Sequence, residues 1–131
     1  MGGLNILVAE DDGLLGILLA DLLEAMGHKV CAIETTEAGA VRAAAIHCPD
    51  LMILDCRLAE GTGPGAAQQI CKTRPVAHIF VTGDGSLIAD ATTTAVTIEK
   101  PYGEELLARA IAQAMINTDH CSAENRTADW S

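Results

Sequence analysis

Hydrophobic positions change period along this chain, and the changes mark its elements. Leu4 to Ala9 (LNILVA) is a short run of mostly branched apolar residues, suited to a buried strand, and it stops at three acids, Glu10, Asp11 and Asp12. From Leu14 the period lengthens. Leu15, Leu18, Leu19, Leu22 and Met26 recur every three or four residues, which predicts an amphipathic helix with that leucine stripe in the core. Asp12 is suited to cap its start and Gly27 to end it. Lys29 to Ile33 reads as a second strand. Thr36 then opens a helix from Glu37 to about His47, with Ala38, Val41 and Ala45 on one face, and Cys48-Pro49 breaks it. Leu51 to Leu54 (LMIL) is a third strand ending at Asp55. A loop with Gly61, Gly63, Pro64 and Gly65 leads into a weak helix to about Lys72, closed by Pro75. Ala77 to Val81 is a fourth strand ending at Thr82, and Ala95 to Ile98 a fifth ending in Glu99-Lys100-Pro101. A last helix, about Gly103 to Ile116, turns Leu107, Ala110, Ile111 and Ala114 inward.

Strand and helix alternate throughout, which predicts an α/β fold with a five-stranded parallel sheet covered on both faces. One connection is too poor for a regular helix. Thr82 to Thr94 holds Gly83, Gly85 and a run of threonines, so the fourth helix is expected to be short, irregular or absent. Beyond Asn117 the chain turns polar and loses its period. One domain over residues 1–117 and a flexible polar tail over 118–131 are therefore expected.

Composition narrows the function. The 131 residues suit a single core. Eight basic against 18 acidic residues leave a formal charge of −10, a poor basis for direct binding to nucleic acid or an anionic membrane. Half the residues are hydrophobic, which argues against disorder, although the aromatics are only Phe80, Tyr102 and Trp130. The longest apolar-plus-glycine run, Gly13 to Ala20, cannot span a bilayer, and no secretory pattern follows Met1, so a cytoplasmic protein is expected. Five cysteines with no C-x-x-C spacing predict buried, reduced thiols, and the four scattered histidines predict loop or boundary positions, not ligands.

In an open parallel sheet, functional groups gather at the carboxyl ends of the strands. Here those ends carry Glu10 and Asp11, then Asp55, Thr82 and Lys100. Carboxylates held together repel unless a cation intervenes, and an all-oxygen set suits a hard ion such as Mg2+. A carboxylate can also attack phosphorus to give an aspartyl phosphate, with an ammonium and a hydroxyl steadying the transferring oxygens. A helix N-terminus enriched in acids explains Asp12 alone, not the groups on the other strands.

Four segments in order, ILVAEDD (Ile6–Asp12), LMILDCRL (Leu51–Leu58), FVTG (Phe80–Gly83) and EKPY (Glu99–Tyr102), resemble the receiver domain of two-component response regulators. The resemblance covers about Leu4 to Ile116. It implies a flavodoxin-like (βα)5 three-layer sandwich with strand order 2-1-3-4-5. It implies Asp55 as phosphoacceptor, with Glu10, Asp11, Asp55 and the Arg57 carbonyl around Mg2+, Thr82 on the phosphoryl group, and Lys100 paired with Asp55 before a cis Lys100–Pro101 bond. It also implies a sensor histidine kinase or phosphotransfer protein as donor and a downstream protein partner as readout.

The chain departs from the family pattern at several positions. Thr97 stands where many members carry the aromatic ring that moves with the threonine, and Ala59 where many carry proline. A subset of receivers with a loop-like fourth helix and a V-T-G or A-T-G strand end is similar. Arg57 and Asp84, two residues past Asp55 and Thr82, carry opposite charges, and they are expected to shield Asp55 and slow hydrolysis. With no output domain in the chain, the expected roles are partner binding or phosphorelay, with a phosphate sink or a phosphorylation-independent scaffold as alternatives. An aspartyl-nucleophile phosphatase would want an acid where Arg57 stands. A flavin or nucleotide fold would want a phosphate loop where Glu10, Asp11 and Asp12 stand.

Overall fold

The computed structural model describes residues 3–83 and 96–128, with side chains through Asn117. Five strands alternate with helices as β1 (Asn5–Ala9), α1 (Gly13–Ala25), β2 (Lys29–Glu34), α2 (Glu37–His47), β3 (Leu51–Asp55), α3 (Gly63–Thr73), β4 (Ala77–Thr82), β5 (Val96–Glu99) and α4 (Glu104–Ala128). All pairings are parallel and the order is β2-β1-β3-β4-β5. This is the three-layer α/β sandwich that the alternation and the resemblance imply.

Alternate residues of each strand enter opposite cores, as the pleat requires. Ile6, Val8, Leu51, Ile53, Ile79 and Val81 point to one face, where Leu19 and Leu23 of α1 and Leu107, Ala110, Ile111 and Ala114 of α4 cover them. Leu7, Ala9, Met52, Leu54 and Phe80 point to the other, under Ala40, Ala43 and Ala44 of α2 and Ala66, Ala67 and Ile70 of α3. With both faces covered, β1 and β3 read as continuous apolar runs.

Capping follows the sequence. The Asp12 carboxylate accepts from the amides of Leu14 (3.0 Å) and Leu15 (3.3 Å), and Thr36 Oγ1 accepts from Gly39 N–H (3.0 Å). Gly27 follows α1 at φ 97°, a left-handed conformation that favours glycine.

Helix faces and one helix end differ from the expectation. In α1 the buried residues are Gly16, Leu19, Ala20 and Leu23, while Leu14, Ile17 and Leu18 are 66%, 53% and 55% exposed. The leucine stripe is therefore only partly core. In α2 the buried face is Gly39, Ala40, Ala43 and Ala44, opposite the face of Ala38, Val41 and Ala45. Both helices are apolar nearly all round, so no period singles out the inward face. Packing selects the glycines and alanines that let the backbone approach the sheet. The last helix does not stop at Ile116; its backbone continues to Ala128, through most of the segment read as a flexible tail. Intrahelical hydrogen bonds carry a polar sequence onward where the apolar period has ended.

The expected irregular fourth helix falls on residues 84–95, outside the described residues, and so does Asp84. Among the described side chains four cysteines are free thiols; Cys56 is buried, Cys48 exposed and Cys31 and Cys71 half-buried, against the expectation of buried thiols, while Cys121 lies outside the described side chains. Among the described residues no helix is long and apolar enough to cross a membrane.

Candidate functional site

Three consecutive acids follow β1, and the fold gives them different work. Asp12 turns away to cap α1. Glu10 is held at the sheet edge by its amide, which donates to Glu34 O (2.9 Å), and its Oε2 accepts from Asp12 N–H (3.0 Å). Asp11 stays exposed at the rim.

Asp55 is the last residue of β3 and is 7% exposed. The chain folds back over it so closely that a Cβ on Gly63 would stand 2.2 Å from the Asp55 carbonyl oxygen. Glycine is required there by that approach. Thr82 closes β4 at 3% exposure, beside Asp55 because Asp55 registers with Val81. Its carbonyl accepts from Lys100 N–H (2.9 Å), which brings the lysine in from the end of β5. The Lys100–Pro101 peptide is cis, as the resemblance implies.

One carboxylate oxygen from each of Glu10, Asp11 and Asp55 lies within 4.8 Å of the others. Lys100 Nζ stands 2.8 Å from Glu10 Oε1 and 3.2 Å from Asp55 Oδ1. Three carboxylates face one ammonium, and the imbalance shows in their proton affinities. Burial, then the Glu10 carboxylate, push Asp55 up to about 8 against the pull of Lys100. Burial opposes ionisation of Glu10 too, but hydrogen bonds with Asp55, Lys100 and Asp11 outweigh it and hold Glu10 at about 2. Asp11 is raised, first by its hydrogen bond with Glu10 and then by burial and charge. Carboxylates crowded in this way favour protonation, and a divalent ion among them would favour the charged forms instead. The all-oxygen donor set fits Mg2+.

Beside the cluster opens a cavity of about 250 Å³ lined by Asp11, Asp55, Arg57, Thr82 and Lys100, room for a phosphoryl group and its solvent. The six site residues expected from the sequence thus converge on one rim. Thr97, the departure from the aromatic pattern, registers with Phe80 on β4.

Sequence reasoning missed two features. An apolar groove of about 450 Å³ adjoins the site, lined by Leu15, Leu18, Leu22, Pro101 and Tyr102 and reaching Glu10 and Lys100. Its signal is the apolar outward face of α1, whose leucines the sequence period alone places in the core. Glu37 also escaped notice, because its partners Thr62 and Gln69 lie 25 and 32 residues further along.

A family model described as the response regulator receiver domain matches residues 6–112. The chain is 32% identical over 115 residues to the phyllosphere-induced regulator PhyR of Methylorubrum extorquens, covering 85% of this chain and 43% of that protein. It is 34% identical over 77 residues to the transcriptional regulatory protein PdtaR of Mycobacterium tuberculosis, covering 59% of this chain and 37% of that one. The chain therefore spans less than half the length of these relatives. Among solved structures, the receiver domain of PhyR from Erythrobacter litoralis superposes with a TM-score of 0.80 at 29% identity, covering 88% of this chain and 92% of that one.

Proposed function

Since this chain belongs to the response regulator receiver domain family, we propose that it accepts a phosphoryl group on Asp55 from a phosphohistidine of a sensor kinase or phosphotransfer protein, with Mg2+ bound. An Asp55 oxygen forms the bond to phosphorus as the P–N bond to the donor imidazole breaks, and the electron pair stays on that nitrogen, which takes up a proton. Bound Mg2+ supplies charge neutralisation at the phosphoryl oxygens. Glu10, Asp11, Asp55 and the Arg57 carbonyl hold it. Lys100 is already paired with Asp55 and shifts its hydrogen bonds toward the new phosphate. The Thr82 hydroxyl donates to a phosphoryl oxygen. The observation that carries this reading is the convergence of three carboxylates within 4.8 Å around one lysine ammonium.

The groove beside the site suits the donor. Leu15 and Leu18 are exposed next to Glu10 and Lys100, so a helical donor can cover α1 while its histidine reaches Asp55. The readout is binding of a downstream protein partner or onward transfer of the phosphoryl group.

Acetyl phosphate with Mg2+, read by intact mass, tests the reading. A single phosphoryl adduct is expected on the wild type and none on Asp55→Asn. If the wild type takes no adduct from acetyl phosphate or from a histidine phosphodonor, the phosphoacceptor role is wrong and a phosphorylation-independent scaffold takes its place.

A further inference from the structure

The loop between β3 and α3 carries Arg57, and it closes on itself. Gly63 N–H donates to Cys56 O (3.1 Å), Leu58 N–H donates to Gly61 O (3.2 Å), and Arg57 and Thr62 form an antiparallel bridge. The bridge ties the Arg57 backbone to that of Thr62, so what holds Thr62 bears on where Arg57 stands.

Thr62 is held from outside the loop. Its amide donates to Glu37 Oε1 (2.9 Å), and the Gln69 side-chain amide donates to Glu37 Oε2. Glu37 in turn donates its own N–H to Glu60 O (2.9 Å), and Ala59 N–H donates to Thr35 O (2.9 Å). That second bond needs an amide at position 59, which a proline would lack. Space is reserved for the Glu37 carboxylate. A Cβ on Gly61 or on Gly65 would stand 2.5 Å from Glu37 Oε1. Gly61 also sits at φ 83°, where a side chain would be strained. A half-buried carboxylate at the start of α2 thus fills a cradle left by two glycines 25 or so residues downstream.

We infer that Glu37 is a positioning residue for the cation site: through Thr62 and the Arg57–Thr62 bridge it sets the backbone of Arg57, which lines one cavity with Asp11 and Asp55. The inference rests on the reading of Asp55 as a Mg2+-dependent phosphoacceptor. Glu37 touches neither the cation pocket nor the phosphoryl group; it acts through the loop. Groups hydrogen-bonded directly to metal ligands are worth about 10–100-fold in affinity, and Glu37, one link further out, is expected at the low end of that range.

The test is Mg2+ binding measured by calorimetry, together with the Mg2+ dependence of acetyl phosphate labelling. Glu37→Ala is expected to weaken Mg2+ binding by about 10-fold. The half-saturating Mg2+ concentration should rise with it, while the labelling rate at saturating Mg2+ stays within about twofold of the wild type, because the added ion restores the occupied site. Glu37→Gln should recover most of the affinity. Its amide oxygen still accepts from Thr62 N–H, and the Gln69 amide can flip to accept from the new NH2. Gly65→Ala provides an independent arm. It drives the carboxylate out of its cradle while giving α3 a better helix former, so weaker Mg2+ binding there is not general unfolding. If Glu37→Ala does not fold, Gly65→Ala alone decides. Wild-type Mg2+ affinity in the folded variants, with the wild type phosphorylated normally, overturns this inference alone. A wild type that neither binds Mg2+ nor takes a phosphoryl group overturns the phosphoacceptor reading and this inference with it.

Discussion

At the residue scale the same side chain does different work according to its backbone surroundings. Asp12 caps a helix in solvent, Glu10 is ionised in a nearly buried ion pair, and Asp55, buried at the end of β3 beside Glu10, is pushed up to about 8. The glycine that crosses over Asp55 belongs to the same machinery. Gly63→Ala is expected to lower unfolding stability by about 1–3 kcal/mol in urea titrations, because its Cβ would overlap the Asp55 carbonyl oxygen and something must shift. Acetyl phosphate labelling should slow in parallel. The thiols differ in the same way. Burial raises the Cys31 thiol, whereas at Cys71 burial is outweighed by hydrogen bonding with the neighbouring His78 imidazole and the Val76 backbone, and the thiol is lowered. Alkylation with iodoacetamide near neutral pH, followed by peptide mass spectrometry, should therefore label Cys71 before Cys31. The rate at Cys71 should rise at lower pH than at Cys31, and His78→Ala should remove the difference. Glu10, Asp11, Asp55, Thr82 and Lys100 were legible in the sequence because each stands at the end of an apolar run. Glu37 was not, since its environment is built by residues remote in the chain.

At the element scale α1 is the informative case. Its sequence, GLLGILLADLLEA, supplies enough leucine to cover the sheet and still leave Leu14, Ile17 and Leu18 in solvent. Contiguous exposed apolar surface commonly marks a site of contact with other molecules. Leu18→Glu is expected to change stability by no more than about 0.5 kcal/mol, as surface substitutions usually do. Phosphotransfer from a histidine phosphodonor should fall, as read by single-turnover transfer of radiolabelled phosphate. Unimpaired transfer would remove α1 from the donor-binding surface. The strands, by contrast, were placed to within a residue or two, because each is a short apolar run with a sharp polar end. The last helix was cut short because its continuation to Ala128 has no apolar stripe to announce it.

At the scale of the whole molecule, the sheet order brings the carboxyl ends of β1 and β3 side by side and places β4 next to them. The acids meet there with one lysine, leaving an excess of negative charge that the folded state alone confines. A ligand that binds the folded cluster and not the unfolded chain stabilises by mass action, about 2.7 kcal/mol at a hundred times its Kd. Added Mg2+ should accordingly raise the thermal midpoint of the wild type, and chelation should reverse the rise. Asp11→Asn should show little of either, measured by scanning calorimetry at fixed ionic strength. An equal rise in the variant would mean that Mg2+ acts on the protein's general charge and not at this cluster.

Local patterns in the sequence determined the strands, the existence of each described helix, the caps at Asp12 and Thr36 and the acids at the strand ends. These depend on residues that are neighbours along the chain, where backbone period and hydrogen bonding act directly. Tertiary structure alone decided which face of α1 and α2 is buried, and that Gly61, Gly65 and Glu37 form one packed unit. Those outcomes depend on shape and close approach between segments tens of residues apart, and a helix that is apolar all round carries no local signal of which side the sheet will cover. The −10 charge changes meaning on the same ground. As composition it only disfavours anionic partners; folded, part of it becomes three carboxylates within 4.8 Å, a set whose chemistry fits a cation.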